Sequence, residues 1–71
     1  MNKKGIYKLS QDKLEEIKSK TTYTNLAEIV GINRCYMSEI VHGRPTTKVV
    51  AYSITKVLDK EAEIEKYFTI M

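Results

Sequence analysis

Residues 22–45 read TYTNLAEIVGINRCYMSEIVHGRP, and this stretch decides the fold. It holds two short helical patterns separated by a glycine. Thr22 or Thr21 supplies an N-cap for the first, in which Leu26 and Val30 recur one turn apart. Ala27 is small enough to stand where two helices cross closely. Gly31 ends the first helix, because a glycine tolerates the left-handed backbone that a tight turn demands. Ile32 fills the turn, and Asn33 caps the second helix through its side-chain oxygen. Met37 and Ile40 then face the core, and Gly43 closes the pattern. The exposed side of this second helix carries Arg34, Cys35, Ser38 and Glu39, in place of the usual mixture of Lys and Glu.

Outward from this centre, helical periodicity continues in both directions. In LSQDKLEEIKSK, residues 9–20, Ser10 is a candidate N-cap, and Leu9 with Leu14 occupy the positions of a hydrophobic staple. Leu14 and Ile17 form an apolar edge, and Glu16 with Lys20 forms an i, i+4 pair. Beyond Arg44-Pro45, Thr46 or Thr47 caps a fourth helix with Val50, Ile54, Val57 and Leu58 on one face, and Tyr52 joins the expected core. Asp59 breaks this helix before a fifth, KEAEIEKYF, which places Ile64, Tyr67 and Phe68 at helical spacing. GIYKL and YFTIM, at the two ends, are the only pieces with strand character. The expected architecture is all-α, a compact bundle of about five short helices in one domain spanning residues 1–71. Residues 1–8 form either a flexible basic arm, with Lys3, Lys4 and Lys8, or a frayed end.

Composition narrows the function. A chain of 71 residues buries one modest core and leaves no room for a substrate pocket beside it. Its single Cys and single His cannot build a four-ligand zinc site or an internal disulfide. No Cys–His pair at catalytic spacing and no Gly-rich phosphate loop is present, so no enzyme, cofactor, metal or small-molecule ligand is expected. MNKKGIYKLS has no apolar run fit for a signal peptide, and no later segment approaches a membrane span. A cytoplasmic protein is expected. The net charge is +3, but residues 1–58 hold ten Lys/Arg against five Asp/Glu, whereas residues 59–71 hold two against four. A basic body with an acidic end suits a polyanion that meets the body.

The segment LAEIVGINRCYMSEIVHGR resembles the helix-turn-helix core of the Cro/repressor (Xre-like) family, with the Leu-Ala pair, turn Gly, cap, Met and Ile core positions and closing Gly in register. The resemblance implies a lambda-repressor-like fold with the motif at about residues 23–42, whose second helix enters the DNA major groove. Arg34 would then grip guanine O6 and N7, Cys35 would pack on a thymine methyl, Ser38 would donate or accept, and Glu39 would accept from a cytosine amino group. Phosphate contacts would come from Thr22, Tyr23, Asn33, Tyr36, His42, Arg44 and Lys48. The implied protein is a sequence-specific double-stranded DNA-binding regulator of the phage type, acting as a homodimer that blocks promoters at an inverted repeat. Ile64 and Phe68 are assigned to the core, and Ile70 and Met71 to either core or dimer contact. The rival is a protein-interaction module of the same fold, such as an antitoxin or assembly factor, working through its apolar C-terminus.

Overall fold

The computed structural model describes residues 6–70. Strand β1 (Tyr7–Leu9) leads through a 3-10 turn at Gln11–Lys13 into helix α1 (Leu14–Lys20). Helices α2 (Tyr23–Val30), α3 (Arg34–Val41) and α4 (Lys48–Leu58) follow, then a 3-10 turn at Ile64–Lys66 and strand β2 (Phe68–Ile70). β1 and β2 pair antiparallel, with Tyr7 opposite Ile70, Lys8 opposite Thr69 and Leu9 opposite Phe68. The molecule is therefore mostly helical, with four α-helices and a two-stranded sheet among the described residues rather than five helices alone. Among the described residues, no helix is long and apolar enough to cross a membrane.

The central helices start and stop where their side chains dictate. The Thr22 hydroxyl accepts from the Asn25 amide at 3.1 Å, and Asn33 Oδ1 accepts from the amides of Cys35 at 2.6 Å and Tyr36 at 3.3 Å. Thr47 rather than Thr46 caps α4, accepting from Val50 N–H at 3.4 Å. Each cap satisfies a helix-end donor that would otherwise lack a partner. Gly31 ends α2 with φ 89°. Its amide and that of Ile32 both return to the Ala27 carbonyl, at 2.8 and 3.0 Å.

Leu26 and Ala27 of α2, Met37, Ile40 and Val41 of α3, and Ala51, Ile54 and Leu58 of α4 meet in one core with Ile17 of α1. Tyr7, Leu9, Ile64, Tyr67 and Phe68 close it from the sheet side. Burying a large aliphatic or aromatic side chain of this kind contributes about 1.5–3 kcal/mol. Leu14, Val30, Ile32, Val50 and Val57 are half-buried against it.

Four expectations are corrected. First, KEAEIEKYF does not form a helix. Asp59 accepts from Glu61 N–H at 3.1 Å and turns the chain, Glu63 is extended, and only one 3-10 turn follows. A nine-residue helix is marginal by itself, and pairing with β1 while burying Tyr67 and Phe68 outweighs its i, i+3 pattern. Second, Ser10 makes no capping bond: it lies next to the sheet, its hydroxyl 3.3 Å from that of Thr69. Leu9 is a buried strand residue for the same reason. Third, Tyr52 is exposed, because the buried stripe of α4 runs through Ala51, Ile54, Thr55 and Leu58. Lys56 Nζ lies 5.3 Å from the centre of the Tyr52 ring. Fourth, Tyr7 and Lys8 belong to β1 rather than to a free arm; Lys3, Lys4 and Met71 lie outside the described residues.

The C-terminal segment is held to the helices by polar contacts as well. Tyr67 is fully buried and its hydroxyl donates to Glu16 Oε2 at 2.7 Å. Burial, and then this bond, push the Tyr67 hydroxyl up from 10.0 to about 12. The same bond holds the Glu16 carboxyl below its usual range. Lys66 donates to Asp59 at 2.9 Å, which lowers the Asp59 carboxyl and raises the Lys66 ammonium.

Candidate nucleic-acid interface

α2, a three-residue turn at 31–33 and α3 form the part of the molecule where the expected contact residues gather. Packing of Leu26 and Ala27 against Met37, Ile40 and Val41 fixes one side of α3 toward the core. The other side is open: Arg34, Cys35 and Glu39 are exposed and Ser38 is half-buried. Arg34/Ser38 and Cys35/Glu39 are i, i+4 neighbours and so share one helix surface. The ion pairs among the described residues are Glu16–Lys20, Glu39–Arg44 and Asp59–Lys66. Among the described residues, Arg34 thus keeps a charge that no carboxylate answers.

The residues expected to touch phosphate fall into three groups. Thr22, Tyr23 and His42 line one cleft of about 400 Å³, together with Lys18 and Thr21. The Tyr23 and His42 rings meet edge to face at 5.7 Å. His42 Nδ1 lies 2.8 Å from the Ser38 carbonyl. A carbonyl only accepts, so Nδ1 carries the proton and Nε2 donates only when the ring is an imidazolium. The Tyr23 hydroxyl, expected on a phosphate, is instead closed off from solvent and has no hydrogen-bond partner among the described residues.

Tyr36 and Arg44 form the second group. The Arg44 guanidinium carbon lies 5.0 Å from the centre of the Tyr36 ring and the guanidinium is bonded to Glu39. Tyr36 is half-buried, and its hydroxyl is 3.0 Å from the Thr46 hydroxyl. Asn33 and Lys48 complete the set singly. Asn33 Oδ1 is occupied in capping α3. Lys48 is exposed at the start of α4, where it borders a mostly apolar groove of about 430 Å³ with Ile6, Thr47 and Val49.

Sequence reasoning missed Lys18 and Thr46. Lys18 stands in the last turn of α1, just before the threonines that lead into α2, so its closeness to the cleft follows from that connection being only two residues long. Thr46 reaches Tyr36 because its backbone bridges to Tyr7 of β1 at 2.7 and 2.8 Å, a pairing with no local signal. No three His, Cys, Asp or Glu side chains gather into a metal-holding group among the described residues.

Comparison of the chain with family models, with curated proteins and with solved structures finds no match.

Proposed function

We propose that this chain is a sequence-specific double-stranded DNA-binding regulator of the Cro/repressor type, in which residues 23–42 act as a helix-turn-helix and α3 is the recognition helix. The observation that carries the reading is the exposed side of α3. It presents a guanidinium, a thiol, a hydroxyl and the Glu39 carboxylate instead of a solvating Lys/Glu mixture, on the helix that Asn33 caps. Arg34 reads guanine and Ser38 and Cys35 read neighbouring bases, while Thr22, His42, Arg44 and Lys48 meet phosphates on either side. The protein acts as a homodimer on an inverted repeat, with half-sites about 34 Å apart, and represses by covering the promoter.

A second reading has its own support. Ile6, Val49, Tyr52 and Ile70 are exposed, with Val49 at 75 %, and apolar surface of this kind suits a protein partner. Under that reading the chain is an interaction module such as an antitoxin or assembly factor.

Selection from a random duplex library at about 150 mM salt, where phosphate-only binding is weak, separates the two. An inverted-repeat motif should emerge, and Arg34→Ala should lose a guanine position at a cost of about 1–3 kcal/mol. Enrichment of no motif by the wild-type protein would favour the interaction module.

A further inference from the structure

α3 does not simply stop at Gly43. With φ 113°, Gly43 donates its amide to the Ile40 carbonyl at 3.0 Å, and the Arg44 amide donates to the Glu39 carbonyl at 2.9 Å. This pair of bonds is a Schellman turn, which brings the side chains of the residue after the glycine and the residue five before it together, usually as an apolar contact. Here that contact is an ion pair between Arg44 and Glu39. The guanidinium also lies against the Tyr36 ring, and the Tyr36 hydroxyl is tied to Thr46, a buried residue bonded through both its N–H and its C=O to Tyr7 of β1. Arg44 is thus held by its own backbone turn, by a ring beneath it and by a carboxylate at one edge. Among the described residues Glu39 engages only Nη1, which leaves the donors on Nε and Nη2 for a ligand.

Both members of the pair are more than half exposed, and such an ion pair adds little to folding stability. Its consequence lies elsewhere. An arginine loses much rotamer freedom when fixed on a ligand, and a side chain already held in place loses less. We propose that Glu39 and Tyr36 are positioning residues for Arg44, holding its guanidinium beside the recognition helix to grip one DNA backbone phosphate, so that Glu39 acts through Arg44 rather than on a base. The inference rests on the DNA-binding reading above.

The test is a double-mutant cycle on a selected duplex, read by fluorescence anisotropy between about 50 and about 200 mM salt. Arg44→Ala should weaken binding about five- to tenfold and lower the slope of log K against log salt by about one. In a Glu39→Ala background the same substitution should cost less than about twofold and barely move the slope. If Arg44→Ala costs as much or more without Glu39, the carboxylate does not position it and the inference is overturned. Tyr36→Leu should resemble Arg44→Ala, whereas Tyr36→Phe, which keeps the ring but cuts the hydroxyl's tie to Thr46, should lose less than Tyr36→Leu. Equal losses from both would overturn the part assigned to the ring. Thermal melts check that each variant folds, and should Tyr36→Leu fail, the cycle at exposed Glu39 still decides. A wild-type protein that binds no duplex removes the DNA reading and this inference with it, while binding with additive substitutions removes the inference alone.

Discussion

The α2–turn–α3 segment and the segment from Asp59 to Ile70 are both short, both anchored in the same core, and built on opposite rules. In the first, each boundary has a local cause: Thr22 caps α2, Gly31 ends it, Asn33 caps α3 and Gly43 ends it. In the second, a helical pattern is overruled by partners far along the chain. Tyr67 reaches Glu16, Phe68 pairs with Leu9, and the result is a turn and a strand. Local side-chain chemistry determines where a helix begins and ends, and long-range burial determines whether a marginal one forms at all.

The largest effect should come from cutting the long-range side of this contrast. Phe68→Ala removes a buried ring from beneath the sheet and should cost about 3–5 kcal/mol, as measured by urea unfolding. A loss below about 1 kcal/mol, the level of an ordinary surface change, would mean that the C-terminal segment is only draped on the helices. Next comes Gly43→Ala. A Cβ there would meet only ordinary contacts, with Lys8 Cε at 3.6 Å, so the cost arises from backbone conformation alone and should be about 1–2 kcal/mol. The substitution should also weaken DNA binding, since the turn places Arg44. Asn33→Ala tests the local rule in its plainest form and should cost about 1 kcal/mol without altering the C-terminal segment's amide shifts.

Acid and base sharpen the comparison further, because the shifted groups all belong to contacts of the C-terminal segment. Glu16 and Asp59 have folded values below their ordinary 4.5 and 3.8. Their contribution is present above those values and is lost as the pH falls through the lowered ones. Tyr67 has the opposite sign. Its contribution is present below 10.0 and is lost as the pH rises through about 12. Near-ultraviolet spectra should therefore report loosening around Tyr67 at both extremes, and Tyr67→Phe should flatten the alkaline limb and blunt the acid one. An unchanged alkaline limb in that variant would place its origin in another group.

These contrasts explain how much was legible from sequence alone. The four central boundaries were, because Thr, Asn and Gly act on neighbours within a few residues. Burial of Ile64 and Phe68 was legible from their size and apolarity, although the helix assigned to them was wrong. The strand character of GIYKL and YFTIM was visible, but nothing local joins two segments some sixty residues apart. On α4, Ile54 and Leu58 were legible as core and Tyr52 was misjudged, since it is large and apolar, whereas the small Ala51 is the residue that faces the core. Of the candidate site, the open side of α3 was legible from its residue types. The Glu39–Arg44 contact was implicit in the spacing around Gly43, whereas the Tyr36–Thr46 bond depends on the bridge from Thr46 to Tyr7 and was not.

The comparison also defines the most direct test of the account, an amide-resolved NMR titration of the wild-type protein with its selected duplex. The account predicts that shifts concentrate at Thr22, at Arg34 through Glu39, and at His42 and Arg44, with the amides from Asp59 to Lys66 left nearly unmoved. Shifts centred instead on Ile6, Val49 and Tyr52, or no shifts at any ratio of duplex to protein, would contradict it.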